Sequence, residues 1–409
     1  MERVRLVFLS FNLLLFLLFA DAYGNDSLFA ADNVFEPVGM EVAISGTGIY
    51  NANVRGGTST HKRQGRWSGS YDLELTKDLS GLFGSEKSEF YMHAEGGFDR
   101  LGIDDTSVGS FFGVNGDFTG RRSLDLVEAW YQQSFADEEL KIRIGKLDIT
   151  GGFHCRSCPV SFDGNSYAND ETTQFLNGSL VNNPTIPFPD YGLSAIVHWN
   201  PVEYWYGSFG VVDAQADGRQ TGFNTAFHDE DYFFYVAETG VTPHFHCENG
   251  ILPGAYRVGA WYDPQPKAAV DGAKERRDDA GVYLSCDQML SKEIASSEDS
   301  QGLGAFFRYG YANSERNEMT DFVSVGLQYQ GLIDGRDDDV TALGFSHGTF
   351  SSKATDFTQD YESVLEVYYN AQLTDRINLT PSLQYIANPG GVSGVSDALV
   401  FAVRAQMSF

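Results

Sequence analysis

Cysteine, histidine and serine are the side chains of this sequence with the greatest capacity for covalent or metal chemistry. The chain contains four cysteines, Cys155, Cys158, Cys247 and Cys286. Four cysteines allow three pairings, and in an oxidising compartment disulfides are the expected state. Among these pairings we favour a Cys155–Cys158 bond together with a Cys247–Cys286 bond, because the members of each pair lie close together in the order of the strands predicted below.

A zinc site is an alternative use of the same residues. His154 precedes the Cys155-x-x-Cys158 pair, and His246 precedes Cys247. Thiolates and imidazoles are the ligands that zinc prefers. A single Cys-x-x-Cys motif is a weak metal signal, so the sequence predicts no metal site and leaves disulfides or reduced thiols as the open alternatives.

A membrane-embedded hydrolase would need a serine and a histidine on one wall of the protein. The eight histidines are scattered along the chain, and none stands in a recognisable motif with a serine. Ser346 and His347 are adjacent, but neighbouring side chains of a strand point to opposite faces. The sequence therefore predicts a protein that is not an enzyme and that needs no cofactor.

The start of the chain has the pattern of a secretory signal peptide. Arg3 and Arg5 precede an apolar run from Leu6 to Phe19, and Ala20-Asp21-Ala22 is a small-x-small cleavage pattern. We predict a signal peptide at residues 1–22 and a short N-terminal segment at residues 23–38. After Ala22 no stretch approaches the roughly 20 apolar residues of a membrane helix.

Composition limits the partners of the chain. It carries 28 Lys and Arg against 56 Asp and Glu, a net charge of −28. Nucleic acid binding needs a basic surface, so the sequence predicts no nucleic acid partner. If the chain forms a pore, the acidic excess favours cations over anions.

The last twelve residues, Ala398 to Phe409, alternate strictly between two kinds of side chain. One face carries only apolar residues and ends in an aromatic: Leu399, Phe401, Val403, Ala405, Met407 and Phe409. The other face includes Arg404, Gln406 and Ser408. A strand with one apolar and one polar face fits either a soluble sheet or an outer-membrane barrel. A chain that ends on Phe in such a strand resembles the last strand of outer-membrane barrel proteins.

About sixteen segments share this period of two and are separated alternately by short and long connections. The alternation and the even count predict one all-β domain at residues 39–409, a transmembrane antiparallel β-barrel of sixteen strands. Between the fifth and sixth segments, Gly151 to Tyr191 forms a strand-free stretch of about forty residues, and loops that long are usually functional.

Several blocks of the chain resemble the carbohydrate-selective porin family (OprB-type). The blocks that carry the resemblance are Arg143–Asp148, Phe175–Leu180, Asn183-Pro184, Pro189–Gly192, Glu362–Tyr369 and Leu383–Pro389. Each motif alone is weak, but their order and spacing within a barrel pattern are specific. The resemblance covers residues 39–409, and the Cys155-x-x-Cys158 insertion departs from the family pattern.

The resemblance implies an outer-membrane barrel for the diffusion of sugars, with a long loop folded inward to form a charged and aromatic constriction. The matching positions are Glu128, Trp130, Arg143, Lys146, Asp148 and Asn177. Such side chains would give sugar hydroxyls donors and acceptors, and an aromatic ring would suit the apolar sugar face. Arg143 and Lys146 differ in parity, so both can face the lumen only if a bulge or strand end intervenes.

The partners that we expect are mono- or oligosaccharides in transit and the lipid of the bacterial outer membrane, with the chain as a monomer or a homotrimer. A general or cation-preferring porin for small solutes is the alternative function in the same fold. A purely structural barrel is the alternative in another class, and a plugged lumen would distinguish it.

Overall fold

The computed structural model describes residues 39–409, apart from 63, 82–86, 100–101, 152, 155–158, 161, 171–173, 228–229, 248–249, 273 and 295–299. The predicted signal peptide at 1–22, the segment 23–38 and the pair Cys155 and Cys158 lie outside these described residues.

Sixteen long strands form one antiparallel sheet that closes on itself. In chain order they are β1 (Met40–Gly57), β2 (Gly65–Asp78), β3 (Lys87–Phe98), β4 (Arg122–Phe135), β5 (Leu140–Leu147), β6 (Gly192–Val202), β7 (Trp205–Asp213), β8 (Phe233–Val241), β9 (Gly250–Asp263), β10 (Asp279–Lys292), β11 (Gly302–Ala312), β12 (Met319–Gln330), β13 (Val340–Phe350), β14 (Tyr361–Thr374), β15 (Ile377–Ala387) and β16 (Ser396–Ser408). The predicted barrel and its strand count are confirmed.

The barrel closes between its first and last strands. β1 pairs antiparallel with β16 from Ser45 opposite Ser408 to Gly57 opposite Ser396. At the carboxyl terminus, Ile44 N donates to Phe409 O at 3.0 Å and Phe409 N donates to Ile44 O at 2.8 Å. The alternating segment that ends in Phe409 is therefore the strand that pairs with β1, so that most of the sheet has no unpaired edge.

The two faces of the wall differ as the alternation predicts. On β14, Leu365 and Val367 are 44% and 43% exposed, whereas Glu366 between them is fully buried. On β16, Phe401 is exposed and Arg404 is buried. The exposed apolar residues define the outer face of the barrel, and the alternating polar residues define its inner face.

Connections alternate in length around the barrel. At one end, residues 136–139, 203–204 and 375–376 are tight turns, whereas at the other end residues 99–121, 148–191 and 214–232 are long loops. The short helices lie in these long loops: a π-helical turn at Asp104–Val108, a 3-10 turn at Ile149–Gly151, and α-helical turns at Gly178–Val181 and Phe223–Ala226. A further 3-10 turn occupies Pro389–Gly391. Among the described residues, no helix has the length and apolar character needed to cross a membrane.

Two of the long loops contact the inner face of the barrel. In the β3–β4 loop, the backbone N of Phe111 donates to the Glu362 carboxylate on β14 at 2.9 Å. In the β5–β6 loop, Leu176 N and Asn177 N donate to the two oxygens of Glu366 at 3.0 and 2.8 Å. Apolar side chains of both loops pack between these polar contacts, as Phe175 does.

The predicted Cys247–Cys286 disulfide is wrong, because both residues are free thiols. Cys247 lies opposite Gly250 at the start of β9, whereas Cys286 on β10 lies opposite Tyr256. Six residues of extended chain separate these partners, about 20 Å along the strand. A disulfide needs Cα atoms within about 7 Å, so proximity in strand order was not sufficient.

Candidate functional site

A β-bulge on β4 sets the direction of the first two candidate residues. His93 on β3 pairs with Glu128, but the next residue, Ala94, pairs with Leu126, so Val127 is left over. Leu126 is exposed on the outer face, whereas Val127 is fully buried. The extra residue turns Glu128 and the alternate residues after it to the inner face.

Trp130 lies at the centre of an inner-face stack. The Tyr91 ring on β3 stacks on it with centroids 4.9 Å apart, and the Arg143 guanidinium on β5 lies 4.1 Å from its ring centre. Arg143 also donates from Nε and Nη2 to Gln132 Oε1 at 3.2 and 3.0 Å. Trp130 is only 7% exposed, so its neighbours rather than its own ring form the accessible surface.

Carboxylates and one histidine continue this surface across three strands. His93 Nε2 lies 3.0 Å from Asp72 Oδ1 on β2, and His93 Nδ1 lies 3.7 Å from Glu128 Oε1 on β4. Glu128 Oε2 accepts a 3.0 Å hydrogen bond from the backbone N of Asp148. The Asp148 carboxylate accepts from Thr150 N and Oγ1, both at 2.8 Å.

The loop end of this surface holds a second charged pair and a buried phenol. Arg122 Nη1 donates to Glu95 Oε2 at 2.8 Å. Burial raises the pKa of the Tyr191 phenol, and the nearby carboxylates of Asp148, Glu95 and Glu128 raise it further. Tyr191 therefore stays neutral beside these acids. Burial likewise raises the pKa of the Asp148 carboxyl to about 6, with a contribution from Glu128 and against the hydrogen bonds from Thr150.

The structure brings four of the six predicted residues together, namely Glu128, Trp130, Arg143 and Asp148. Lys146 is turned to a different environment, where its ammonium donates to the carbonyls of Leu126, Gly218 and Gln220 at 2.8, 2.7 and 2.6 Å. A lysine has three donors, so all of them are in use.

Asn177 is also separate from the other five. It is fully buried and caps the short helix Gly178–Val181, accepting from Ser179 N at 3.1 Å. Its Nδ2 donates to Gln384 Oε1 on β15 at 3.0 Å. These contacts fix the β5–β6 loop to the opposite wall and leave no atom of Asn177 exposed to a passing solute.

Sequence reasoning did not select several residues of this surface, among them Asp72, Tyr91, His93, Glu95 and Arg122. The signal was present for most of them, because β2 and β3 alternate apolar and polar residues over their length. Alternation shows on which face of the sheet a residue lies, but it does not show which parts of the inner face the loops leave uncovered.

The inner face divides into two walls. We call the inner-facing side chains of β2–β5 the open wall, since those of Asp72, His93, Glu128 and Arg122 are 13–15% exposed. We call the inner face of β8–β16 the covered wall, where the side chains of Arg257, Arg308 and Arg404 are all 0% exposed beneath the two long loops. The open wall is therefore the more accessible of these two parts of the inner face.

Two hydrogen-bond contacts between histidine and serine side chains are found in the described part of the chain. His198 Nδ1 lies 2.8 Å from Ser208 Oγ, and both residues are buried. His347 Nδ1 lies 2.8 Å from Ser363 Oγ on a wall that otherwise carries exposed apolar residues. Within the described residues, no group of three or more potential metal ligands is present.

Comparison with known proteins agrees with this architecture. The sequence model of the carbohydrate-selective porin, OprB family matches residues 62–409. Porin B of Pseudomonas aeruginosa is 23% identical over an alignment of 412 residues that covers 91% of this chain and 88% of that protein. Porin AaxA of Chlamydia muridarum is 21% identical over 294 residues, which cover 71% and 57% of the two chains.

Solved structures show the same fold. The high-pH structure of Pseudomonas putida OprB has a TM-score of 0.76 at 19% identity, with 93% of this chain and 96% of that chain covered. OmpT of Vibrio cholerae, in its trimer form, has a TM-score of 0.50 at 11% identity, with 90% and 99% covered. Because the family match spans nearly all of the barrel, from β2 through β16, this chain belongs to the carbohydrate-selective porin family, OprB.

Proposed function

We propose that sugars cross the outer membrane through this barrel by passive diffusion along the open wall. The family and its fold make the chain an outer-membrane sugar porin. The observation that supports this particular path is the contrast in burial between the two walls. Arg122 and Glu128 keep part of their side chains exposed, whereas Arg308 and Arg404 keep none.

The chemistry of the open wall suits a neutral, hydroxyl-rich solute. Carboxylates such as Asp72 and Glu128 accept hydrogen bonds from sugar hydroxyls, and the guanidinium of Arg143 donates to them. Tyr91 offers a ring edge and a hydroxyl that already donates to Glu74 at 2.7 Å. Each hydrogen bond to the sugar replaces a hydrogen bond to water, so the sugar binds weakly enough to be released at the far side.

We propose further that the β5–β6 loop narrows the channel by filling the side opposite the open wall. Its backbone is held by side chains from several strands: Arg308 Nη1 donates to Leu180 O at 2.8 Å, and Arg404 Nη2 donates to Gln174 O at 2.8 Å. A loop tied at separate points along its length remains in the lumen instead of swinging out. The passage is then bounded by this loop and the open wall.

Conductance in a planar bilayer tests the proposal, with mono- and disaccharides added in steps to purified protein. We expect sugars to lower the unitary conductance, and we expect Arg143→Ala to raise the half-blocking concentration about tenfold, since a hydrogen bond to a charged group contributes about 1.5–3 kcal/mol. Arg277→Ala, in the exposed β9–β10 loop, is the matched control and should leave the block unchanged.

Several results would contradict the proposal. Open channels that no sugar blocks would leave a porin without a carbohydrate site. Folded protein with no conductance would indicate a plugged barrel. Equal loss of block in the Arg143 and Arg277 variants would remove the open wall from the mechanism while keeping the channel.

A further inference from the structure

The β7–β8 loop crosses the rim of the barrel and lies over its outer face. Gly218 N donates to Asp190 Oδ2 at 3.0 Å, which places the start of the loop at the end of the β5–β6 loop. A Cβ on Gly222 would lie 2.9 Å from the Leu193 side chain, so the loop passes directly over Leu193. Leu193 belongs to the outer face of β6, in line with the exposed Val197 and Trp199.

Lys146 fixes the loop in this position. On β5, Lys146 lies opposite Ala129 of β4 and Leu193 of β6. Ile144, two residues before it, is 50% exposed on the outer face. Side chains two residues apart on a strand share a face, so Lys146 also belongs to the outer face. A lysine here would face the membrane. The carbonyls of Gly218 and Gln220 cover its ammonium, which is why Lys146 is only 4% exposed. The loop therefore keeps a charge out of contact with lipid.

Beyond these carbonyls the loop presents two phenylalanines to its surroundings. Phe223 begins the short helix Phe223–Ala226 and Phe227 follows it, and the two rings stack with centroids 6.4 Å apart. Their exposed fractions are 67% and 66%. In water this exposure is unfavourable, and the helix packs on β6 through its other side, where Thr225 and Ala226 are buried.

We propose that the Phe223–Phe227 pair inserts into the outer leaflet of the membrane and anchors the β7–β8 loop there. The loop that carries the pair passes over Leu193 on the side of the wall where Ile144, Val197 and Trp199 are exposed, and the outer-membrane location makes this side a membrane interface. Aromatic side chains of barrels concentrate at this boundary, where a ring can enter the acyl region while the adjoining backbone stays hydrated.

Lipid fits the pair better than a second copy of the chain does. Two phenylalanine side chains at two-thirds exposure present roughly 300 Å². A stable protein interface buries about 800 Å² on each partner, so the pair alone is too small to hold one. Insertion into a leaflet needs no matching partner surface.

Tryptophan fluorescence in lipid nanodiscs that hold one barrel each tests the proposal. Phe223→Trp would be compared with Ser352→Trp, a control at an exposed position of the β13–β14 loop, after subtraction of the unmodified protein. Both would be measured in phosphatidylcholine and in the same lipid brominated near the head group. We expect the added emission of the Phe223→Trp variant to be blue-shifted and to lose at least half its intensity in brominated lipid, while the control changes little.

Other outcomes would overturn the proposal. A red-shifted signal from the Phe223→Trp variant that bromine does not quench would place the pair in water. A blue shift that appears only when a disc holds several barrels would assign the pair to contact between copies. If Phe223→Trp alters folding, Phe227→Trp provides the same measurement from the other ring.

Discussion

Carboxylates on the inner face have one chemistry but two roles, and their partners decide which. Glu362 and Glu366 are fully buried and accept backbone N–H groups of the loops, as Glu366 does from Leu176 and Asn177. The side chains of Asp72 and Glu128 remain partly exposed, and His93 lies between them. The first kind holds the loops, and we propose that the second kind contacts a solute.

Asp148 provides a pH test at this scale. Burial raises the pKa of its carboxyl from 3.8 to about 6. Between these two pH values the folded protein holds a proton that the unfolded chain releases, so the free energy of unfolding falls as pH rises, and the loss is complete above pH 6. Asp148→Asn removes this penalty. We expect the variant to gain more thermal stability over the unmodified protein at pH 8 than at pH 4, measured by unfolding in detergent.

The matched comparison for Asp148 is Asp271→Asn, at an exposed position of the β9–β10 loop. Its stability difference from the unmodified protein shows, at each pH, the effect of replacing an exposed carboxylate by an amide. An Asp148→Asn gain that is the same at pH 4 and pH 8 would mean that this carboxyl titrates at its ordinary pKa.

The candidate residues show what parity within a strand can and cannot predict. It correctly indicated that Arg143 and Lys146 could not both face inward without an irregularity. The loop carbonyls on Lys146 and the burial of Asn177 depend on residues 72 to 207 positions away, which no local pattern contains. The free Cys247 and Cys286 were missed for the same reason, because strand register decides their separation.

At the scale of elements, strands were predictable and loop placement was not. Each strand separates an apolar medium from a polar one, so its alternation is visible in the sequence without knowledge of its neighbours. The bulge at Val127 interrupts this rule, since one inserted residue exchanges the faces without changing the composition. The β5–β6 loop has no alternation of apolar and polar residues. Its position follows from hydrogen bonds to inner-facing side chains of β8–β16.

Glu366 tests whether the β5–β6 loop narrows the channel. Its carboxylate accepts from two loop amides and from Ser382 Oγ at 2.7 Å. Glu366→Ala leaves both amides without this partner at a cost of about 1–3 kcal/mol each. We expect a larger and noisier unitary conductance in planar bilayers, with Glu366→Gln intermediate because it retains one acceptor oxygen.

Glu318→Ala, at an exposed position just before β12, is the control for the loop experiment. It should leave both conductance and noise unchanged. A Glu366→Ala channel that conducts like the unmodified protein, while folding to the same extent, would show that this loop does not limit the passage.

At the scale of the whole molecule, charge and path point in the same direction. The chain has a net charge of −28. The open wall carries Asp72, Glu95 and Glu128, while Arg122 is paired with Glu95 at 2.8 Å. A low-dielectric passage with an excess of one sign of charge raises the local concentration of the opposite ion. Neutral sugars are little affected by this field, so a sugar pathway and a preference for cations can coexist in one channel.

The ion preference can be measured directly as the zero-current potential across a bilayer in a tenfold gradient of KCl. We expect a potential of the sign that potassium permeation produces, with potassium favoured severalfold over chloride at pH 7 and less at 1 M salt, where screening extends only about 3 Å. Glu128→Gln should lower the ratio because it removes a charge that faces the passage. Glu318→Gln removes the same charge from the exposed position just before β12 and should lower the ratio less. Equal effects of the two substitutions would mean that net charge rather than the open wall sets the preference, and a preference for chloride would show that Arg122 and Arg143 dominate the field at the narrowest point.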